Sequence, residues 1–246
     1  MVVGRAREMR IFVAPPLAAG ELAITGDEHH YLHRVRRARA GETIELVDGE
    51  GHRAAATIER ITADATVVRA GVPERVVDAL PRIRALLPLI KGDRMDTCLE
   101  KLVEVGVDEI VLWPATRAVV RLEPDRREAR LAKYRAALQA AARQSGRASV
   151  PTITAADSLA AAAALASGAA LASGARLVLD PGADRAPIAP ADDVTIISGP
   201  EGGLAPEELD ALAAAGWTSM GLGPRVLRAE TAPVVAVALI RAATNS

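Results

Sequence analysis

The sequence predicts an α/β protein whose larger part is an open parallel sheet with helices on both faces, preceded by a small β-rich domain. Three observations predict it. From about Arg10 to Val72 the apolar runs are short and separated by turn residues, the texture of a small barrel or sheet. From about Ile83 onward, strand-like runs alternate with helix-length periodic segments, the pattern of a parallel sheet that binds ligands at the carboxyl ends of its strands. Between the two, Pro73 and Pro81 mark a linker, so the domains are expected at residues 1–75 and 76–246.

The N-terminal elements follow from alternation and turn chemistry. Arg10-Ile11-Phe12-Val13 reads as a strand, as does Thr43-Ile44-Glu45-Leu46-Val47, which Asp48-Gly49 stops; Thr66-Val67-Val68 supplies a third. Thr25-Gly26-Asp27-Glu28 has the spacing of a capping box, and predicts a short helix with Leu32 and Val35 facing inward.

In the larger part, Ile83 to Leu89 is a buried strand. Asp93 to Val105 is an amphipathic helix with Met95, Leu99, Leu102 and Val105 on one side, stopped by Gly106. Glu109 to Trp113 is the next strand and Arg126 to Gln144 the next helix. Ala155 to Leu179, mostly alanine punctuated by Ser, Gly and Asp, reads as a small-residue helix and loop. Strands are expected at Arg176–Asp180, Val194–Ser198 and Trp217–Leu222. Pro206 opens a helix that Gly216 ends, and Thr231 to Ala243 forms another that tolerates Pro233 in its first turn.

Composition narrows the function classes. Half of the 246 residues are hydrophobic and a quarter charged, as in an ordered globular protein. Aromatics are only 2%, too few for a row of base-stacking platforms. The net charge of −1 argues against binding nucleic acid by bulk electrostatics, although distribution matters more than the sum, and only three of the thirty basic residues are lysines (Lys91, Lys101, Lys133). An arginine-rich set suits phosphate recognition, but a coding bias toward Arg and Ala is the simpler account of it. The single Cys98 permits neither an intramolecular disulfide nor a cysteine-rich zinc site, and fits a reducing cytoplasm. The start of the chain lacks the apolar core of a signal peptide, and no window approaches a membrane span.

Two segments carry the chemistry. In Ile196-Ile197-Ser198-Gly199-Pro200-Glu201-Gly202-Gly203-Leu204 a buried strand runs into a loop with three glycines and then a helix. Glycines let a ligand approach main-chain N–H and C=O groups closely. No Gly-Lys-Ser/Thr follows, so this is not a nucleotide P-loop, and the spacing is not that of a dinucleotide fingerprint. In Gly221-Leu222-Gly223-Pro224-Arg225-Val226-Leu227-Arg228-Ala229-Glu230-Thr231 another strand ends in glycines, and the loop carries two arginines and a glutamate. Each alone reads equally as a tight strand-to-helix turn; two such loops at the ends of two strands can line one crevice. No Gly-x-Ser-x-Gly elbow supports a hydrolase.

As a pair, these segments resemble motifs of the SPOUT methyltransferases, and within them the RsmE family of 16S rRNA uridine N3-methyltransferases. The likeness extends to Lys101-Leu102-Val103-Glu104-Val105-Gly106-Val107, to Gln144-Ser145-Gly146-Arg147 with Val150-Pro151, and to Arg10-Ile11-Phe12-Val13 and His30-Tyr31-Leu32-His33-Arg34-Val35 near the start. Arg143 stands where an acidic residue is frequent, and Ala229 where threonine is common.

The resemblance implies a C-terminal SPOUT-type trefoil-knot domain, a small N-terminal PUA-like β-barrel domain that grips RNA, S-adenosylmethionine as cofactor, and a homodimer. The substrate it implies is 16S rRNA within the small ribosomal subunit, with no membrane and no metal. It assigns the cofactor to Leu179, Gly199, Pro200, Gly203, Leu222, Gly223 and Leu227. The chemistry of methyl transfer to an imide nitrogen, with an arginine on a loop beside the cofactor, points to Arg228, to stabilise negative charge on the uracil, and to Glu201 or Glu230, to accept or relay the N3 proton. Either glutamate could instead cap a helix or hold an arginine.

For RNA the expected contacts are Arg10, His30, Arg34, Arg36, Arg37 and Arg147. His29 to Arg39 holds three histidines and four arginines without an acid, which is also what a solvated helix face looks like. The series Arg126, Arg127, Arg130, Lys133, Arg135, Arg143 and Arg147 admits the same two readings. Metal binding by His29, His30 and His33 lacks a second cluster of ligands. Two other activities remain compatible: methylation of a ribose 2′-hydroxyl or another base, and a non-catalytic RNA-binding assembly factor.

Overall fold

The structure, a computed structural model, describes residues 9–76, 80–118, 120, 123–165, 174–184 and 191–244. The chain forms two compact units. The first takes Met1–Asp78 together with Ala142–Val150, and the second Ala79–Ala141 with Pro151–Ser246. The nine residues from Ala142 therefore belong with the first unit, which a contiguous boundary at residue 75 does not express.

The first unit is built on β1 (Arg10–Phe12), β2 (Gly20–Ile24), α1 (Gly26–His30), β3 (Thr43–Val47), β4 (His52–Ile61), β5 (Thr66–Ala70) and β6 (Glu74–Arg75). They form one sheet in the order β1-β3-β4-β5-β2, with β6 paired to β4. The long β4 is rich in alanine and charge, and propensity alone does not mark it. Its pairing with β3 on one side and β5 on the other makes it a strand, and period-two alternation sends Ala54, Ala56 and Ile58 into a core with Ile11, Leu46 and Val68.

One expectation here fails. Leu32 is fully buried, but Val35 is 61% exposed. Residues Tyr31–Arg36 form a π-helical turn instead of continuing α1. Its wider i→i+5 bonding breaks the α-helical rule that residues three apart share a face. Thr25 sits at the N-cap of α1 but makes no side-chain capping bond.

The second unit comprises β7 (Arg82–Pro88), α2 (Asp93–Val105), β8 (Glu109–Trp113), α3 (Arg127–Ser145, whose last turn counts with the first unit), β9 (Thr152–Ala155) and α4 (Leu159–Leu165). After them come β10 (Ala175–Leu179), β11 (Asp193–Ile197), α5 (Pro206–Ala214), β12 (Thr218–Met220) and α6 (Ala232–Thr244). All its strand pairs are parallel, in the order β12-β10-β11-β7-β8-β9. Part of the alanine-rich stretch, residues 166–173, lies outside the described residues.

Register explains the layers. Leu86, Val111, Val178 and Ile197 lie side by side on one face, where they pack with Ala162 of α4, Leu212 of α5 and both tryptophans. The alternate residues, among them Ala85, Leu87, Ile110 and Ile196, turn to the other face and are equally buried. On α2, Met95, Leu99 and Leu102 are buried as the periodicity requires, Val105 only partly, and Gly106 takes φ +97° at the C-cap. The C-terminal helix α6 packs on α2, β10 and β11. Arg241 fastens its end by donating to the carbonyls of Pro81 and Gly106 and to Asp108.

Candidate functional site

Three strands of the second unit, β10, β11 and β12, end side by side at the same edge of the sheet, and each runs into a turn. After β12 the chain passes so close to the turn after β10 that a Cβ on Gly221 would lie 1.9 Å from the Ala183 carbonyl oxygen. The Gly221 N–H donates to Asp184 O, and the Asp180 N–H to Met220 O. In the turn after β11 the Gly203 N–H donates to Pro200 O with φ +71° at Gly203, and a Cβ on Gly199 would meet Leu204 N at 2.9 Å. Glycine is required at these positions by contact and by dihedral, not by flexibility.

The turns enclose a cleft of about 560 Å³. Leu179, Asp180 and Pro181 line it from β10, Ser198 to Leu204 from the loop after β11, and Val226 to Ala229 from the loop after β12. A small extension of about 40 Å³ reaches Met220, Leu222, Gly223 and Arg225. All seven residues expected to hold a cofactor therefore meet at one place: Leu179, Gly199, Pro200, Gly203 and Leu227 in the cleft, Leu222 and Gly223 in its extension. The Ser198 hydroxyl is buried in this wall without a hydrogen-bond partner. Apolar side chains, exposed main chain and an orphaned hydroxyl together fit a ligand with a flat apolar ring and polar edges. Another cavity, of about 310 Å³, opens beside Trp113 beyond β7–β9, but no glycine turn reaches it.

Charge enters the cleft from two loops and a helix. Arg94, in the first turn of α2, lines it, and its guanidinium lies 3.0 Å from Glu201 Oε1 and 3.8 Å from Glu230 Oε2. Arg228 lies 3.8 Å from the other oxygen of Glu230. The Arg228 side chain is 79% exposed and that of Glu230 only 13%. Behind them, burial and then the charge of Glu230 push the Cys98 thiol up to about 12, so it stays protonated and inert. Arg94 escaped sequence reading because it stands far from both glycine segments; only its contacts with Glu201 and Glu230 in the folded chain identify it.

The loop after β11 is fastened from below. Glu208, buried on α5, accepts the Ala205 N–H at 2.8 Å and the Thr116 N–H at 2.9 Å. The first bond is half of a capping box; Ala205 has no side-chain oxygen for the other half. Burial pushes the Glu208 carboxyl upward, but these N–H groups, the Thr116 hydroxyl and the charge of Arg117 outweigh it and hold the group below the ordinary glutamate range. Arg117 also donates to the carbonyl of Gly202, at 3.2 Å.

The residues expected to meet RNA lie in the first unit and differ in exposure. His30, Arg34, Arg36 and Arg37 are exposed on and beside the π-helical turn, and Arg37 has φ +52°. His29, from the same basic run, is a core residue: its ring bonds to the Thr66 hydroxyl and the Ala63 carbonyl. Arg10 is half-buried and paired with Glu45, and Arg143 with Glu28 while covering the Phe12 ring. Arg147 is half-buried just after Gly146, which takes φ +82° and ends α3. Among the described residues no group of three or more His, Cys, Asp or Glu side chains is placed to hold a metal, and no helix is long and apolar enough to cross a membrane.

Comparison with known proteins agrees with both units. Residues 78–241 match the family model of the RNA methyltransferase domain, and residues 24–69 that of the RNA methyltransferase PUA domain. A Mycobacterium bovis protein named ribosomal RNA small subunit methyltransferase E is 34% identical, over 90% of this chain and 86% of its own length. A crystal structure of the Neisseria gonorrhoeae protein of that name, bound to S-adenosyl methionine, superposes with a TM-score of 0.82 at 27% identity, covering 96% of this chain and 97% of the other. A Legionella pneumophila methyltransferase structure with bound SAM gives a TM-score of 0.83 at 27% identity, covering 96% and 98%.

Proposed function

We propose, from the premise that this chain belongs to the ribosomal RNA small subunit methyltransferase E family, that it transfers a methyl group from S-adenosylmethionine to N3 of a uridine in 16S rRNA. Its second unit is accordingly a SPOUT-type knotted α/β domain and its first a PUA-like domain. The observation that carries the reading is the cleft itself, where the glycine turns after β11 and β12 and the end of β10 expose main chain to one ligand.

When bound, the sulfonium donor supplies an activated methyl group, so that N3 gains a C–N bond as a C–S bond breaks and the imide proton departs. Gly199, Gly203, Leu222 and Gly223 would hold the donor through main chain, with Leu179 and Leu227 against its adenine and Pro200 shaping the turn. The protein's remaining task is to make N3 nucleophilic. Arg228, exposed at the cleft rim, would stabilise negative charge on the uracil. We assign Glu201 and Glu230 to hold guanidiniums instead of taking the proton, because Arg94 lies 3.0 Å from Glu201 and 3.8 Å from Glu230, whose other oxygen faces Arg228. The proton then leaves to water, and turnover rises with pH through the neutral range.

His30, Arg34, Arg36 and Arg37 would contact phosphates, with Arg10 and Arg147 alongside, and the target base would turn out of its stack. The same reading takes the small ribosomal subunit as the substrate's setting, a homodimer as the active form and the cytoplasm as the compartment. The test is nucleoside analysis of 16S rRNA incubated with the protein and methyl-labelled donor. N3-methyluridine is expected; label in a ribose or another base, or none, defeats the proposal. Arg228→Ala should lower kcat by about 10²–10³ while donor affinity changes little.

A further inference from the structure

We propose that Arg94 is a positioning residue that holds Glu230 away from Arg228, leaving the Arg228 guanidinium free to reach the substrate. The inference rests on the cleft being the site of methyl transfer. Glu230 has a guanidinium 3.8 Å from each of its oxygens, Arg94 at Oε2 and Arg228 at Oε1. Its Oε2 is buried and accepts no hydrogen bond, so neither arginine captures it by a directed contact. The carboxylate is balanced between two cations.

The two cations are not equivalent. Arg94 is tethered by its 3.0 Å contact with Glu201 and rises from the first turn of a thirteen-residue helix, α2. Arg228 stands on a loop with most of its side chain in solvent. A carboxylate this covered cannot remain without a countercharge. If the fixed cation is removed, the loose one is drawn in, and the group meant for the substrate is spent on Glu230. Arg94 thus acts through Glu230 on Arg228, and links the two glycine loops, since Glu201 belongs to one and Glu230 to the other.

The experiment is a double-mutant comparison on the full-length protein. Arg94→Gln should lower kcat by about 10–100-fold, the range of a lost charge-assisted contact, with donor Kd and RNA KM within about threefold of wild type. Adding Glu230→Gln should restore kcat to near that of the Glu230→Gln single variant, because nothing then captures Arg228. Arg94→Lys, which keeps the charge without the fork, should fall between. A merely structural role would leave the double variant as impaired as Arg94→Gln, and that result overturns the proposal.

A second readout needs no turnover. Phenylglyoxal modification of Arg228, followed by peptide mass mapping, should slow in Arg94→Gln and recover in the double variant. An unchanged rate in Arg94→Gln also overturns it. Should the wild-type protein methylate no rRNA, the functional reading falls, while the modification rates still decide the role of Arg94.

Discussion

Replacing Glu208 by alanine tests how the cofactor loop is held. The carboxylate lies on α5, 8% exposed, and accepts two main-chain N–H groups from different loops: Ala205, closing the glycine turn, and Thr116, after β8. A bond to a charged group contributes about 1.5–3 kcal/mol, and truncation leaves both N–H groups to find water. Allowing for partial rehydration, Glu208→Ala should cost about 3 kcal/mol, and Glu208→Gln about 2, because the amide can satisfy only one donor. The sign with pH follows from the lowered carboxyl. Its stabilisation is complete above the unfolded-state pKa and is lost as pH falls through the lower folded-state value. Urea unfolding at neutral and acidic pH, followed by tryptophan fluorescence, measures both effects, since Trp113 and Trp217 share the core with Leu212 of α5. Donor titration calorimetry should show weakened binding beyond the loss of stability. If Glu208→Ala unfolds within about 0.5 kcal/mol of wild type, or the gap between wild type and Glu208→Gln does not narrow in acid, the clamp is not what holds the loop.

Four further outcomes are expected. Gly221→Ala should yield no folded protein by circular dichroism, since the added carbon would sit 1.9 Å from a carbonyl oxygen of a neighbouring turn. Arg241→Met breaks a half-buried network to Asp108, Gly106 and Pro81 and should cost about 3 kcal/mol by denaturant midpoint. Cys98 should resist a thiol reagent at neutral pH until the chain unfolds, its thiol being pushed up to about 12; rapid labelling of native protein would contradict this. Reversing Arg34, Arg36 and Arg37 to glutamate should weaken RNA binding and flatten the plot of log affinity against log salt by about two, whereas an unchanged slope would mean that these arginines do not meet phosphate.

Most of the second unit was legible in its sequence because buried parallel strands and amphipathic helices write their period into neighbouring residues. Glu109–Trp113 and Asp93–Val105 match the expected spans. β2, β4 and β9 were not legible. Alanine, charge and threonine fit a strand only when a partner strand completes the hydrogen bonding, and the partners, β5 for β2, β3 and β5 for β4, and β8 for β9, lie elsewhere in the chain. The same division runs through the charged residues: the run from His29 to Arg39 looks uniform on paper, but one histidine is core and Val35 faces water.

At the cleft, the sequence by itself determined the glycines and the loop charges, since a backbone that must touch a ligand or another turn leaves glycine where any side chain would collide. Only the tertiary structure decided who meets whom. It brought Arg94 from α2 to both glutamates, set Glu208 beneath the loop, and exposed Arg228 while covering Glu230. Short-range pattern records the local conformation of a segment; the partners of a charge are chosen by the fold, across separations of about a hundred residues that no period spans.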